Sequence, residues 1–413
     1  MTNADQATTR RTGALALLLC ASLSGCGLVG NEAHAGPENA GGGRSFSLAA
    51  GGDIVVQPEL TEQARKDGKG IKGAAYGLSF DATMAAIKPI INKADLAICH
   101  IEPVLGKPGG PFQGHPNYVS PPQIATTVKS LGYDSCSTAS SHVLDHGPAG
   151  VRNTLDALDK AGLKHTGSAR SAQEAAKPLI LDVKGVKVAH LSFTNNFAGR
   201  AELPAGQEWL ANRTSFDRIA AAEKAARAAG AEVVVLSMHW GTEFEPDPNS
   251  AQRRLARKIA KRTGINLVIG HHAHVVQPME KVGDTWIAYG LGNQLSRHDS
   301  PTGLSEEGAI GWFDFRQKDG SWTVRARYAP TFLEIPPEAT AVDETGRPKA
   351  PVQEPGAIQD VRLIDVIAAL EAGDELTDEQ RARYRLASER TASTLLNRGG
   401  ARDGLRPLEG LPD

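Results

Sequence analysis

Three of the chain's twelve histidines, His271, His272 and His274, fall within four positions of "LVIGHHAHVVQP". Such a cluster either binds a metal at the end of a buried strand or is a His-rich surface loop. Imidazoles become chemically useful when they meet carboxylates, because mixed N- and O-donor sets suit Zn, Mn or Fe better than Ca or Mg. Candidate partners recur elsewhere at one kind of position. Asp53 closes "SFSLAAGGD", Glu102 closes "ADLAICHIE", and His142 closes "YDSCSTASSH". His239 follows "AEVVVLSM" and Asn293 closes "TWIAYGLGN". Each lies at or just past the end of a short apolar run. Glycines beside them (Gly52, Gly241, Gly270, Gly292) permit tight turns and close backbone approach. Taken singly, a Gly-Asp is usually a turn and a strand-end histidine is usually a satisfied polar group. The repetition points to a shared site.

Such a site needs elements that bring the run ends together. Helical patterns alternate with the apolar runs. Pro148 to Gly162 carries Val151, Leu155 and Leu158 on one face; Thr214 or Ser215 caps an Ala-rich helix through Ala229; Ser250 caps the helix in "AQRRLARKIAKRTG". This alternation predicts a layered α/β fold. In open α/β sheets, ligands collect beyond the C-terminal strand ends. Lys184-Gly185 and Asp319-Gly320 each sit between β-rich arms and predict added hairpins. Residues 338–355 read as a Pro-rich loop, and Leu376 to Asn397 as an amphipathic helix packed on the body or shielding an edge.

Forty-five Lys and Arg stand against 47 Asp and Glu. Without a basic excess, nucleic acid is excluded as the main partner. The face bearing Arg253, Arg257 and Lys261 reads as solvated, with lipid headgroups or an anionic polymer as the other reading. At the N-terminus, Arg10-Arg11 precede "GALALLLCASLSG", too short to span a bilayer, which takes roughly 20 apolar residues. Cys26 follows directly, and the pattern resembles a lipobox, with cleavage before Cys26 and lipidation of its sulfur. The expected organisation is a lipoprotein signal over 1–26, a flexible Gly-rich tether over 27–44, a domain over 45–335, and a Pro-rich loop with a helical segment over 336–413. Cys99 and Cys136, inside apolar runs, are expected as buried thiols.

Several blocks together resemble the CapA family of poly-γ-glutamate capsule synthesis proteins, whose domain is similar to calcineurin-like metallophosphoesterases. They are "GGDIV", "ADLAICHIEPVL", "SSHVLDHGPAGVRNTLDALDKAGLKHTGSA", "VVVLSMHWGTEFE", "NLVIGHHAHVVQPME" and "IAYGLGNQL", in the family's order across most of 46–335. The resemblance implies a four-layer sandwich of helices around two mixed sheets, with a metal centre on its rim. It implies Asp53, His239, His272 and His274 as ligands of a divalent ion. His142 would be a general acid or orient the leaving group, held by Asp145, and Glu102 a ligand or base. Ser141, Glu243, His271 and Asn293 would stand beside the ion or toward substrate, and His100 would either bind it or pack beside it. Ser141 replaces an Asn of the family pattern and Val55 a His of the parent phosphoesterases, which leaves open whether one ion or two are held.

The resemblance implies two readings. One is a metal-dependent hydrolase or transferase working on poly-γ-glutamate or a related anionic envelope polymer, within a membrane synthesis complex. The other is a non-catalytic envelope lipoprotein that binds polymer or partners through a degenerate site. Either would be anchored to the outer face of the cytoplasmic membrane through Cys26.

Overall fold

The computed structural model describes residues 43–298, 303–335, 360–373 and 375–410. The expected signal with Cys26, the tether up to residue 42 and the Pro-rich stretch 338–355 lie outside these residues.

Apolar runs become strands because side chains on both faces of a central strand are buried, which demands β-rich segments without polar alternation. They assemble into two sheets. One runs in the order Arg362–Asp365, Ser321–Glu334, Glu307–Lys318, Ser45–Val55, Leu96–Ile101, Ser135–Ser137, Lys164–Thr166, with Asn293–Ser296 also paired to Ser45–Val55. The other runs Met279–Val282, Thr285–Ala288, Leu267–His271, Val233–His239, Val186–Thr194, Leu179–Val183. Phe46, Leu48, Ile98, Val233, Leu267 and Phe313 fill the space between the sheets. Helices Gln123–Leu131 and Gly147–Ala161 cover the first sheet through Ile124, Val128, Val151 and Leu155. Helices Phe216–Ala228 and Ser250–Arg262 cover the second through Ile219, Ala226, Ala256 and Ile259. The result is a layered α/β fold, as the alternation of runs predicts, in the four-layer form that the family resemblance implies. Both hairpins form, with positive φ at Lys184 and Gly185 and at Asp319 and Gly320, as two-residue turns between twisted strands require.

Three local readings change, and the C-terminal helix, packed on the body as expected, gains firmer bounds. Asn249, not Ser250, caps the basic helix: its side chain accepts from the amides of Ala251 and Gln252, with Gln252 completing a capping box. "TWIAYGLGN" is not one run. Thr285–Ala288 belongs to the second sheet, and the chain then crosses at Gly290-Leu291-Gly292 so that Asn293 opens a strand of the first. The last helix runs Asp378–Leu396, capped by Thr377, and Tyr384 packs against Phe332. Finally, Cys99 and Cys136 are joined by a disulfide, with Cα atoms 4.5 Å apart. Register explains it, since the parallel strands Leu96–Ile101 and Ser135–Ser137 place these two residues directly side by side.

The cysteines close a loop across a sequence separation of 37. Replacing both (Cys99→Ala with Cys136→Ala) is expected to lower stability by about 3 to 4 kcal/mol on chain-entropy grounds. Denaturant unfolding with and without reductant measures this. Equal midpoints, with two titratable thiols in the folded chain, would show that the bond is not there.

Candidate metal centre

Every strand-end residue singled out from the sequence reaches one rim. Asp53 sits near the end of Ser45–Val55, paired with His100 of the neighbouring strand and with Asn293 on the other side. This fit depends on Gly52, where a Cβ would lie 2.3 Å from the Gly292 carbonyl oxygen. His239 and His271 end adjacent parallel strands and face each other in register. Beyond His271 the chain turns sharply: His272 and His274 adopt φ of 89° and 55°, a region that non-glycine residues rarely enter. Such backbone costs on the order of 1–3 kcal/mol per residue and persists where the surroundings enforce it. Here it swings both rings into the cluster.

Asp53 joins the two sheets. Its Oδ1 lies 2.8 Å from His271 Nδ1, and its Oδ2 accepts from the His272 amide at 2.9 Å. His274 Nδ1 is 2.9 Å from Asn293 Oδ1, while Asn293 donates to the carbonyls of His274 and Ser305. His100 Nδ1 meets Ser137 Oγ at 2.8 Å and its Nε2 meets His239 Nδ1 at 3.1 Å; its ring stacks on His271. Ser141 Oγ lies 3.2 Å from His239 Nε2 and 3.5 Å from Glu102 Oε1. His142 Nδ1 is 2.8 Å from Asp145 Oδ2, which also accepts from the Tyr118 amide at 2.7 Å. Glu243 is the outlier, exposed and 4.0 Å from His272 Nδ1.

Three ligand-sized groups result, each with donor atoms within 4.8 Å of one another: Asp53, His100 and His271; His100, Glu102 and His239; Glu102, His272 and His274. All these residues are buried. The third group floors a cavity of about 910 Å³, with Ser141 and His142 on its wall. The sequence reading missed three contributors. Tyr118 packs edge-on against His142, and His298 packs at a tilt against His274 with ring centroids 4.3 Å apart; both line the cavity. Ser137 supports His100. None follows an apolar run as the other site residues do, so the strand-end signal could not find them.

Burial and mutual repulsion shape the titration. Burial, helped by His271, pushes His100 well below its usual value; burial and His272 do the same to His239. Burial and His274 bring His272 down to about 4. Burial, reinforced by the charges of Asp53 and Glu243, drives Glu102 well above the usual carboxylate range. Burial would raise Asp53 too, but the hydrogen bond from His271 and the surrounding imidazoles hold it below that range. Neutral imidazoles are what a cation requires. Glu102 Oε2, His271 Nε2 and His272 Nδ1 are buried with no hydrogen-bond partner among the described residues. A buried unpaired polar atom costs about 1–3 kcal/mol. Glu102 Oε2 and His272 Nδ1 belong to the group with His274, and His271 Nε2 to the neighbouring group with Asp53 and His100; unpaired donors in these adjoining groups fit a divalent ion.

Residues 47–298 match the model of the family described as bacterial capsule synthesis protein PGA_cap. The chain belongs to that family. It is 34% identical over 175 residues to the PGA biosynthesis protein CapA of Bacillus subtilis, and 28% over 173 residues to the capsule biosynthesis protein CapA of Bacillus anthracis. These matches cover 40% and 41% of this chain and 43% and 42% of the relatives, so the chain spans less than half the length of each. Among solved structures it is similar to the calcineurin-like phosphoesterase YfkN of Bacillus subtilis. That alignment covers 84% of this chain and 97% of the other at 13% identity, with a TM-score of 0.37.

In the metal-free protein, His100, His239 and His272 stay neutral when folded but regain ordinary values on unfolding. The unfolded chain therefore binds more protons as pH falls, and stability present above the ordinary histidine value of 6.5 is lost toward about 4. Glu102 opposes this, as do Glu306 and Glu307, whose carboxyls burial also raises, while the buried rings of His190 and His298, both held low by burial, add to it. The urea midpoint in chelator is expected to fall between about pH 7.5 and pH 5, and to fall less in His272→Gln. A midpoint that rises on acidification contradicts the neutral-imidazole cluster.

Proposed function

We propose that the chain is an exported, lipid-anchored, metal-dependent hydrolase or transferase of the cell envelope, acting on poly-γ-glutamate or a related anionic capsule polymer. Family membership and the printed functions of the Bacillus relatives supply the polymer context. The observation that carries the chemistry is the group Glu102, His272 and His274 at the floor of an open cavity, with unpaired buried donor atoms beside it. A bound divalent ion would polarise a phosphoryl or carbonyl oxygen and bring the pKa of water toward ~7. His272, His274, Glu102 and His239 would hold it.

The chain's own residues do the rest. Asp145 fixes the His142 ring through Nδ1, so Nε2 is the atom left to pass a proton to a group in the cavity. Asp53, committed to His271 and the His272 amide, orients the turn that presents His272 and His274. Asn293 fixes the His274 ring through Nδ1 in the same way. The rival reading, a non-catalytic lipoprotein that binds polymer or partners, draws support from Ser141, whose hydroxyl is within hydrogen-bonding reach of His239 and Glu102 inside the cluster.

The readings separate in one experiment on the full chain supplied with Zn, Mn or Fe, poly-γ-glutamate and a phosphoester. His272→Ala with His274→Ala is expected to lose bound metal and turnover together. His142→Ala should keep its metal and lose about 10²–10⁴ in kcat. A wild-type chain that binds polymer yet turns over neither substrate with any of the ions would establish the non-catalytic reading. Anchoring is tested separately: Cys26→Ser is expected to move the protein from the membrane fraction to the soluble one, and unchanged partitioning would remove the lipid anchor.

A further inference from the structure

The end of the first sheet remote from the metal cluster carries a second cavity of about 660 Å³. Cross-strand register builds it. Ser45 lies beside Arg316 and Ser47 beside Asp314; Asp314 in turn lies beside Arg325 and Trp312 beside Arg327. Directly paired residues share a face, here the face of Ala49, which farther along lies under the outer helices. Toward Ser45 that face is open, and Arg316 and Arg325 are exposed on it.

Its charge is segregated. The lining holds five cations, Lys93, Lys184, Arg316, Arg325 and Arg327, against the two carboxylates of Asp95 and Asp314, an excess of three in a chain whose net charge is −2. Both carboxylates are already engaged. Asp95 takes Lys184 at 2.7 Å along with the amide and hydroxyl of Ser47. Asp314 takes Trp312 Nε1 at 2.9 Å and Arg327 at 2.7 Å. Lys93, Arg316 and Arg325 have no acidic partner among the described residues. An exposed cation holds a single carboxylate only weakly in water, so a ligand gains here only by presenting several anionic groups at once.

We propose that this groove is a binding track for an extended polyanion with repeating carboxylates, a site apart from the metal cluster that retains the polymer near it. The ligand class rests on the capsule-polymer reading above. Ser45 and Asp53 are eight residues apart on one strand, so groove and cluster are separated by about 26 Å. A long chain can reach both, and binding at the groove then raises its local concentration at the cavity.

The test is binding of long poly-γ-glutamate to the metal-loaded full chain across a salt series, with free glutamate as competitor. Arg316→Glu with Arg325→Glu is expected to weaken polymer binding at least ten-fold and flatten its salt dependence, leaving metal content and unfolding midpoint unchanged. Arg257→Glu with Lys261→Glu changes net charge equally on the remote basic helix and should bind as wild type. Equal binding by the groove variant, or equal loss in the helix variant, overturns the proposal. So does tighter groove-dependent binding of anionic lipid vesicles than of polymer, or full competition by free glutamate. A chain without turnover that still needs Arg316 and Arg325 for polymer removes the enzymatic reading and leaves the groove standing.

Discussion

The rim holds together through Asp53. Its carboxylate belongs to the first sheet, and its partners, the ring of His271 and the amide of His272, belong to the second. Charge-assisted hydrogen bonds of this kind contribute about 1.5–3 kcal/mol each, against the large cost of burying an ionised carboxylate. Removing Asp53 would therefore do more than remove one oxygen donor. It would release the turn that forces His272 and His274 into positive φ, and with it the presentation of both rings.

That dependence explains where the fold spends stability. The strained turn, three unpaired donor atoms and a stack of buried imidazoles are each unfavourable alone. They survive because three apolar cores back them, one between the sheets and one under each helical layer. The disulfide adds covalent restraint one residue before His100 and Ser137, whose side chains bond to each other in the next register position. The link is mechanical: strands held in register deliver the ring nitrogens where the hydrogen-bond chain from Ser137 through His100 to His239 needs them.

Much of this was legible in the sequence, for a physical reason. Strands buried on both faces leave unbroken apolar runs, and residues that serve a rim sit where those runs stop, so Asp53, Glu102, His142, His239 and the HHAH segment stood out before any geometry. What the sequence hid depends on register or on contacts between distant segments. The Cys99–Cys136 pairing follows from strand alignment, which apolar character does not encode. Asn293 looked like the end of a strand because the crossover before it is apolar as well. His298 lies in a polar stretch, and only its ring contact with His274 brings it to the site. Ser137 looks like any small strand residue until His100 is placed above it.

The first strand also sets the polarity of the molecule. Its C-terminal end carries a carboxylate into a cluster that favours cations, while its N-terminal end opens on a groove with an excess of positive charge. A near-neutral chain with two such fields at opposite ends of one strand differs from one whose charges are evenly mixed. Over about 26 Å, well beyond the Debye length of about 8 Å at physiological salt, the two fields do not cancel. A small anion would feel one or the other. A polyanion longer than the strand can be held at the groove by its side groups while a distant part of its backbone reaches the cavity above Glu102, His272 and His274. Charge at one end and ligand chemistry at the other then act on the same molecule without sharing a residue.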